Sequence, residues 1–349
     1  MLADELDYVV GVDTHRDEHT LVVVAAATGA LLAERSVRAD AAGYRDALAF
    51  AERFAAGRRV WAVEGANSYG AGLARILAAS GESVLEAGRP ARAQRRLHGK
   101  NDSLDALLAT RALLTDGAMS RPRDGGRREA LRLLLIARRS AVDARRHALV
   151  QLRAIIVTSP DTLREQLRRL PTTRLLDRCS RLRTRAAAPP EELAARVTLR
   201  MLARRALAAT VEANELERLI AEHVRVLAPA LLDEPGVGAI VAAQLLVAWS
   251  HHGRLRSEAA FARLAGVAPL PASSGQTVRH RLSRGGDRQL NRALHTIVLH
   301  RRHHDPQTKA YIQRRLAEGK SRREATRLLK RYLARHLYRV LQQTEPLMT

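Results

Sequence analysis

A chain of 349 residues is long enough for two or three compact units, and 46% hydrophobic residues can bury a core, which excludes global disorder. A formal net charge of +23 calls for a polyanionic partner, since without one a folded protein bears it only against self-repulsion. The single cysteine, Cys179, excludes an intrachain disulfide framework or zinc ribbon, and no stretch is long and apolar enough to cross a bilayer.

The basic residues are nearly all arginine; the lysines are Lys100, Lys309, Lys320 and Lys330. The planar guanidinium fork suits phosphate, although GC-rich coding would also enrich Arg and Ala. Nucleic acid is the expected partner. The acidic start, Met1-Leu2-Ala3-Asp4-Glu5, lacks the layout of a signal peptide, which points to a cytoplasmic protein with no membrane partner. Aromatics make up 3%, so packing rests on Ala, Leu and Val, a composition that favours helices.

The first hundred residues alternate strands and helices. Tyr8 to Val12 is an apolar run ending at Asp13, Thr20 to Ala26 a second run rich in Val, and Leu32 to Val37 a third, with Gly29 at the turn. Helical spacing covers Ala41 to Ala55. Arg59 to Val63 reads as a strand stopping at Glu64, Tyr69 to Ala79 as a helix, and Ser83 to Ala87 as a short strand. A three-strand meander followed by strand–helix alternation predicts a mixed α/β sheet with helices on its faces. From Arg127 to about Leu227, apolar residues recur at helical intervals, and breaks near Thr158-Ser159-Pro160 and Ala187 to Pro190 divide the stretch into an outgoing and a returning arm. That pattern fits a helical hairpin or coiled coil, or equally a plain bundle. From Leu231 the chain is compact and helical, ending in a basic helix from about Ser321 to Gln343. The expected domains are 1–120, 121–228 and 229–349.

Acidic residues fall where a metal site would need them. Asp13 and Glu64 end strands; Asp102 and Asp105 sit at the start of a predicted helix, and their i, i+3 spacing shares one face. Hard oxygen ligands of this kind suit Mg2+, and two such ions serve phosphoryl transfer. Singly, each acid has a plain reading: acids often end strands, and Asp102 can cap its helix.

A second constellation runs Leu264-Ala265-Gly266, Ser273-Ser274-Gly275, Arg279-His280-Arg281 and Ser283-Arg284-Gly285-Gly286-Asp287. A serine beside glycine sits on open backbone that a phosphate can approach, and Arg279, Arg281 and Arg284 could neutralise its charge. A Ser-Gly turn beside a basic patch fits the same residues. Pro235-Gly236-Val237-Gly238 before an apolar helix resembles the hairpin of a helix-hairpin-helix, with Gly236 and Gly238 letting backbone N–H groups meet phosphate, and is equally an ordinary turn. His300, His303 and His304 lie among arginines and read as a solvated basic face rather than a metal cluster.

Taken in order, Gly11-Val12-Asp13, Val63-Glu64-Gly65, Lys100-Asn101-Asp102 with Asp105, Pro235-Gly236-Val237-Gly238, Ser274-Gly275 and Ser283-Arg284-Gly285-Gly286-Asp287 resemble the DEDD transposases of the insertion-sequence one-hundred-and-ten family. The likeness runs over nearly the whole chain and is least characteristic from Thr158 to Pro190. It implies a RuvC-like N-terminal domain of RNase H fold, a coiled-coil arm, and a mainly α C-terminal transposase domain. It implies Asp13, Glu64, Asp102 and Asp105 as Mg2+ ligands and Ser274 as nucleophile, preferred over Ser273 because the glycine follows it directly. It further implies donor and target DNA, a noncoding guide RNA, and a homo-oligomer, dimer or tetramer, whose active site joins the carboxylates of one protomer to the serine of another. Two other readings compete: a metal-dependent structure-selective nuclease in which Ser274 is a bystander, and a non-catalytic nucleic-acid-binding protein.

Overall fold

The computed structural model describes residues 5–87, 106–107, 110–111, 113–114, 120–123, 125–184, 188–271, 280–281, 283 and 285–344. The chain divides into two compact units, Met1–Asp124 and Gly125–Thr349.

In the first unit the elements are β1 (Tyr8–Thr14), β2 (Glu18–Ala25), β3 (Leu31–Arg38), α1 (Ala41–Phe54), β4 (Arg59–Glu64), α2 (Ala71–Ala79) and β5 (Val84–Ala87). They form one sheet in the order β3-β2-β1-β4-β5. The meander β1-β2-β3 is antiparallel, whereas β4 and β5 join β1 in parallel. β1 and β2 read as continuous apolar runs rather than alternating ones because both faces of the sheet are covered. Val10, Val12, Leu21, Val23, Trp61 and Val63 pack on one face against Phe50 and Ala51 of α1 and Leu73 and Leu77 of α2. Val9, Val60 and Ala62 pack on the other with Leu113, while Val22 and Val24 meet Ala106. β3 carries charged and exposed residues along the sheet edge, which discourages pairing with another chain.

Helix α2 begins two residues later than its apolar spacing predicts. The intervening residues turn back on the sheet, with Ser68 N–H and Gly70 N–H both donating to the Gly65 carbonyl.

In the second unit the elements are α3 (Gly126–Thr158), α4 (Asp161–Leu167), α5 (Thr172–Ser180), α6 (Pro190–Leu227), a 3-10 turn (Pro229–Leu231), α7 (Ala239–Trp249), α8 (Glu258–Leu264), β6 (Leu270–Pro271), β7 (His280–Arg281), α9 (Arg288–His304), α10 (Pro306–Ala317) and α11 (Arg322–Gln343). Helices α3 and α6 pair antiparallel. Leu131 and Leu135 of α3 share a core with Ile220 and Val224 of α6, while Leu152 and Ile156 share another with Leu199 and Leu202. Between these cores Arg138 bridges to Glu217 at 2.7 Å. The 33 residues of α3 make a rod about 50 Å long at roughly 1.5 Å per residue. Its base merges with α7, α8, α9 and α11 through Leu245, Phe261, Leu294 and Leu337. Arg128, buried there, donates to the Val247 carbonyl near the end of α7. The basic last helix starts where its sequence signals it, at a Ser321–Glu324 capping box. Among the described residues no helix is long and apolar enough to cross a membrane.

Two outcomes follow for the sheet. A Cβ on Gly11 would overlap Thr110 Oγ1 and lie 2.8 Å from the Ala106 carbonyl oxygen. Gly11→Ala is therefore expected to cost about 1–3 kcal/mol in urea unfolding, and Gly11→Ala/Thr110→Ala less than the sum of the two single changes. His19 is fully buried, stacks on Tyr44, and has its pKa pushed below the ordinary 6.5 by that burial. As pH falls below about 6.5 the unfolded chain takes up the proton first, so sheet stability is present above that pH and lost below it. Thermal melts at pH 7 and pH 5 should show a steeper loss for the native chain than for His19→Gln.

Candidate functional site

Asp13 and Glu64 come together through strand register. β1 and β4 are parallel neighbours whose register ends at Val12↔Val63, one residue before each acid. Thr14 Oγ1 continues the contact by donating to the Glu64 carbonyl at 2.8 Å. Side chains alternate along a strand, so Asp13 shares a face with Val9 and Gly11, and Glu64 shares one with Val60 and Ala62. Val9, Val60 and Ala62 pack together, which puts both acids on the same face at the carboxyl ends of adjacent strands. Such ends are where open α/β sheets bind ligands. Asp13 is buried, with His15 Nδ1 3.9 Å from its Oδ2, and Glu64 is half-buried. Gly65, at φ +62°, turns the chain off the sheet directly after Glu64.

The hollow left by Gly11 lies on that face, one alternation before Asp13. Ala106 and Thr110 fill it, and buried Thr110 closes its own turn by donating to the Ala106 carbonyl at 2.7 Å. The residue that directly follows Asp105 in sequence thus packs on the face of Asp13; Asp102 and Asp105 lie outside the described residues. Asp13 and Glu64 supply hard carboxylate oxygens, a donor set that suits Mg2+. Among the described residues no group of three or more Asp, Glu, His or Cys is arranged to hold a metal.

The serine constellation resolves into its two ends. Ser273, Ser274, Arg279 and Arg284 lie outside the described residues, and for Arg281 the described part is the strand backbone. β6 and β7 pair antiparallel, Leu270 with Arg281 and Pro271 with His280. Below them the chain is closed by glycines. A Cβ on Gly286 would overlap Gly266 N and lie 2.5 Å from Gly266 Cα, so two bare backbones touch where side chains could not. Asp287 N–H donates to the Leu264 carbonyl at 2.7 Å. Asn291 Nδ2 donates to the Ala265 carbonyl at 2.7 Å, and Lys330 Nζ donates to Asn291 Oδ1 at 2.6 Å. Burial pushes the Lys330 pKa down. Sequence reasoning missed Asn291 and Lys330, which are far apart in the chain and belong to no motif. It also grouped Asp287 with the basic patch, whereas this residue caps α9 by accepting from Gln289 and Leu290 N–H. An acid just before a helical run signals such a cap.

The Pro235–Gly238 segment is a tight turn. Val237 N–H donates to the Glu234 carbonyl, and Gly236 sits at φ +81° with the His300 ring against it. Arg301 donates to both the Pro235 carbonyl and Glu234 Oε2 at 2.7 Å, and His336 Nε2 lies 2.7 Å from Glu234 Oε1. Gly238 starts α7 facing open space, without a side-chain cap. The His300 and His304 rings lie 4.6 Å apart.

Two family models match the chain. One described as a transposase, of the DEDD IS110 type, covers residues 10–159; the other, described as transposase IS116/IS110/IS902 family, covers residues 228–313. The chain is 35% identical over 139 residues to the insertion element IS110 uncharacterized 43.6 kDa protein of Streptomyces coelicolor, a stretch covering 40% of this chain and 33% of that relative. It is 34% identical over 149 residues to the insertion element IS900 uncharacterized 42 kDa protein of Mycobacterium paratuberculosis, covering 41% and 37% respectively. The matches therefore span about a third of the relatives' own lengths. Matched once through the carboxylate-bearing sheet and again through the glycine-closed helical unit, the chain belongs to the IS110 family of DEDD transposases.

Proposed function

We propose that the protein is a DNA transposase that cuts and rejoins strands through a serine nucleophile and a Mg2+ site built on an RNase H-like sheet. The observation that carries this reading is the pair Asp13 and Glu64, brought to one face at the ends of adjacent parallel strands. The packing of Ala106 on that face supports Asp102 and Asp105 as the remaining ligands. Bound there, Mg2+ would supply charge neutralisation at the scissile phosphate. Ser274 attacks the phosphorus, a phosphoserine bond forms, and a DNA hydroxyl leaves. Attack by the exchanged strand's hydroxyl reverses the step, so the phosphodiester bond is conserved without an external energy source.

The closure at Gly266 and Gly286 supports the role of Ser274, because it anchors both ends of the segment containing it. Arg279, Arg281 and Arg284 hold the phosphate. Gly236 and Gly238 form the helix-hairpin-helix-like turn through which backbone N–H groups meet DNA; the opening beside Gly238 supports this. The paired helices α3 and α6 act as a coiled-coil arm for a dimer or tetramer in which carboxylates and serine come from different protomers. A noncoding RNA guides pairing of donor and target DNA, and the protein works in the cytoplasm on nucleoid DNA.

With Mg2+, donor and target DNA and RNA from the flanks of the gene, the native chain should give recombinants and a protein-linked strand on a denaturing gel. Asp13→Asn and Ser274→Ala should each lower both products by on the order of a hundredfold or more, as should chelation of the metal. Cutting that survives Ser274→Ala but not Asp13→Asn would make the protein a metal-dependent nuclease and remove the serine from the mechanism.

A further inference from the structure

The far end of the α3–α6 arm carries a second basic surface, in a region that neither family model covers, since one ends at residue 159 and the other starts at 228. Residues 158–205 hold twelve arginines against five acids, a positive excess well above the chain average. The cap formed by α4 and α5 is firmly built. Leu163, Leu167, Leu175, Leu176 and Cys179 are buried against the arm. Arg153 of α3 donates to Thr172 Oγ1 at 2.8 Å, while Arg200 and Arg204 of α6 donate to the Leu182 and Ser180 carbonyls, so both ends of α5 are tied down.

The arginines on this cap fall into two sets. Arg164, Arg168 and Arg181 pair with Asp161, Glu165 and Asp177 on their own helices. Arg169, Arg174, Arg178 and Arg183 are exposed, with no carboxylate in ion-pair distance among the described residues. Arg174 and Arg178 are one helical turn apart, about 6 Å along the axis, beside an open hollow of about 540 Å3 lined also by Gln166, Leu170, Thr173 and Asp177. A rigid surface of unpaired guanidinium groups is complementary to a closely spaced row of phosphates.

We propose that the α4–α5 cap, at the opposite end of the α3–α6 arm from the α7–α8–α9–α11 core, is a docking surface for the phosphate backbone of duplex DNA that acts independently of sequence. The choice of DNA over RNA rests on the transposase reading; the binding itself does not require catalysis. A duplex lying along an arm of about 50 Å would be gripped about 15 base pairs from its base, at roughly 3.4 Å per base pair.

The test is the salt dependence of binding of the full chain to a random-sequence DNA duplex and to an RNA duplex. Two variants that lose the same charge are compared: Arg174→Gln/Arg178→Gln/Arg183→Gln, and Arg164→Gln/Arg168→Gln/Arg181→Gln. The first should weaken DNA binding at least tenfold and flatten its log–log salt slope by about 2–3, at roughly 0.9 per phosphate contact, while the second changes far less. Circular dichroism checks that both remain folded. Equal effects of the two variants, no effect of the first, or a loss confined to RNA overturns the proposal. Loss of strand exchange in Ser274→Ala tests the catalytic reading separately, since that variant should bind the duplex as the native chain does.

Discussion

The N-terminal unit depends on a strand position with no side chain. Gly11 lies in the middle of β1, where any Cβ would collide with Thr110 and the Ala106 carbonyl. Because it is absent, helical residues can settle against the sheet and cover a face that would otherwise expose Val9, Val22, Val24 and Ala62. That face also carries Asp13 and Glu64, so the contact that completes the core lays the residue following Asp105 on the same face as the two acids. Fold and proposed chemistry thus rest on the same packing.

The helical unit uses a similar economy at a different place. Gly266 and Gly286 meet backbone to backbone, and Asn291 and Lys330 lock the junction with a short chain of hydrogen bonds. Between these glycines runs the segment with Ser274. Closing a chain on itself costs entropy, and the contacts at Gly266, Gly286 and Asn291 offset that cost in the folded state. The Pro235–Gly238 turn is fixed in a comparable way, by Arg301 and His336 on Glu234.

Much of the sheet was legible in the residues alone. Runs of valine bounded by Asp13, Gly29 and Glu64 mark strands because β-branched side chains pack well on a pleated surface, and the meander followed by strand–helix alternation implies the mixed sheet that β1 to β5 form. The two long helices were legible from apolar spacing, yet their antiparallel pairing within the chain depends on tertiary contacts such as Leu135 with Val224 that periodicity cannot specify. Asp13 and Glu64 could be picked out as strand-terminal acids; that they share one face follows from the Val12↔Val63 register, a long-range fact. Asn291 and Lys330 carry no local pattern, because their meaning arises only where α9 crosses α11. Asp287 stood in a motif whose basic residues drew attention from its ordinary role as a cap.

The helical unit thus carries a backbone-to-backbone closure at Gly266 and Gly286 and an arginine-rich cap at the end of a stiff arm. The sheet contributes the carboxylates. Whether Asp13 and Glu64 hold a divalent cation is decided by anomalous X-ray scattering from crystals grown with Mn2+ in place of Mg2+. A manganese peak touching both carboxylates, lost in Glu64→Gln, is the expected result. A peak only elsewhere, for instance on the His300–His304 pair, or none in well-ordered crystals of the native chain, would contradict it.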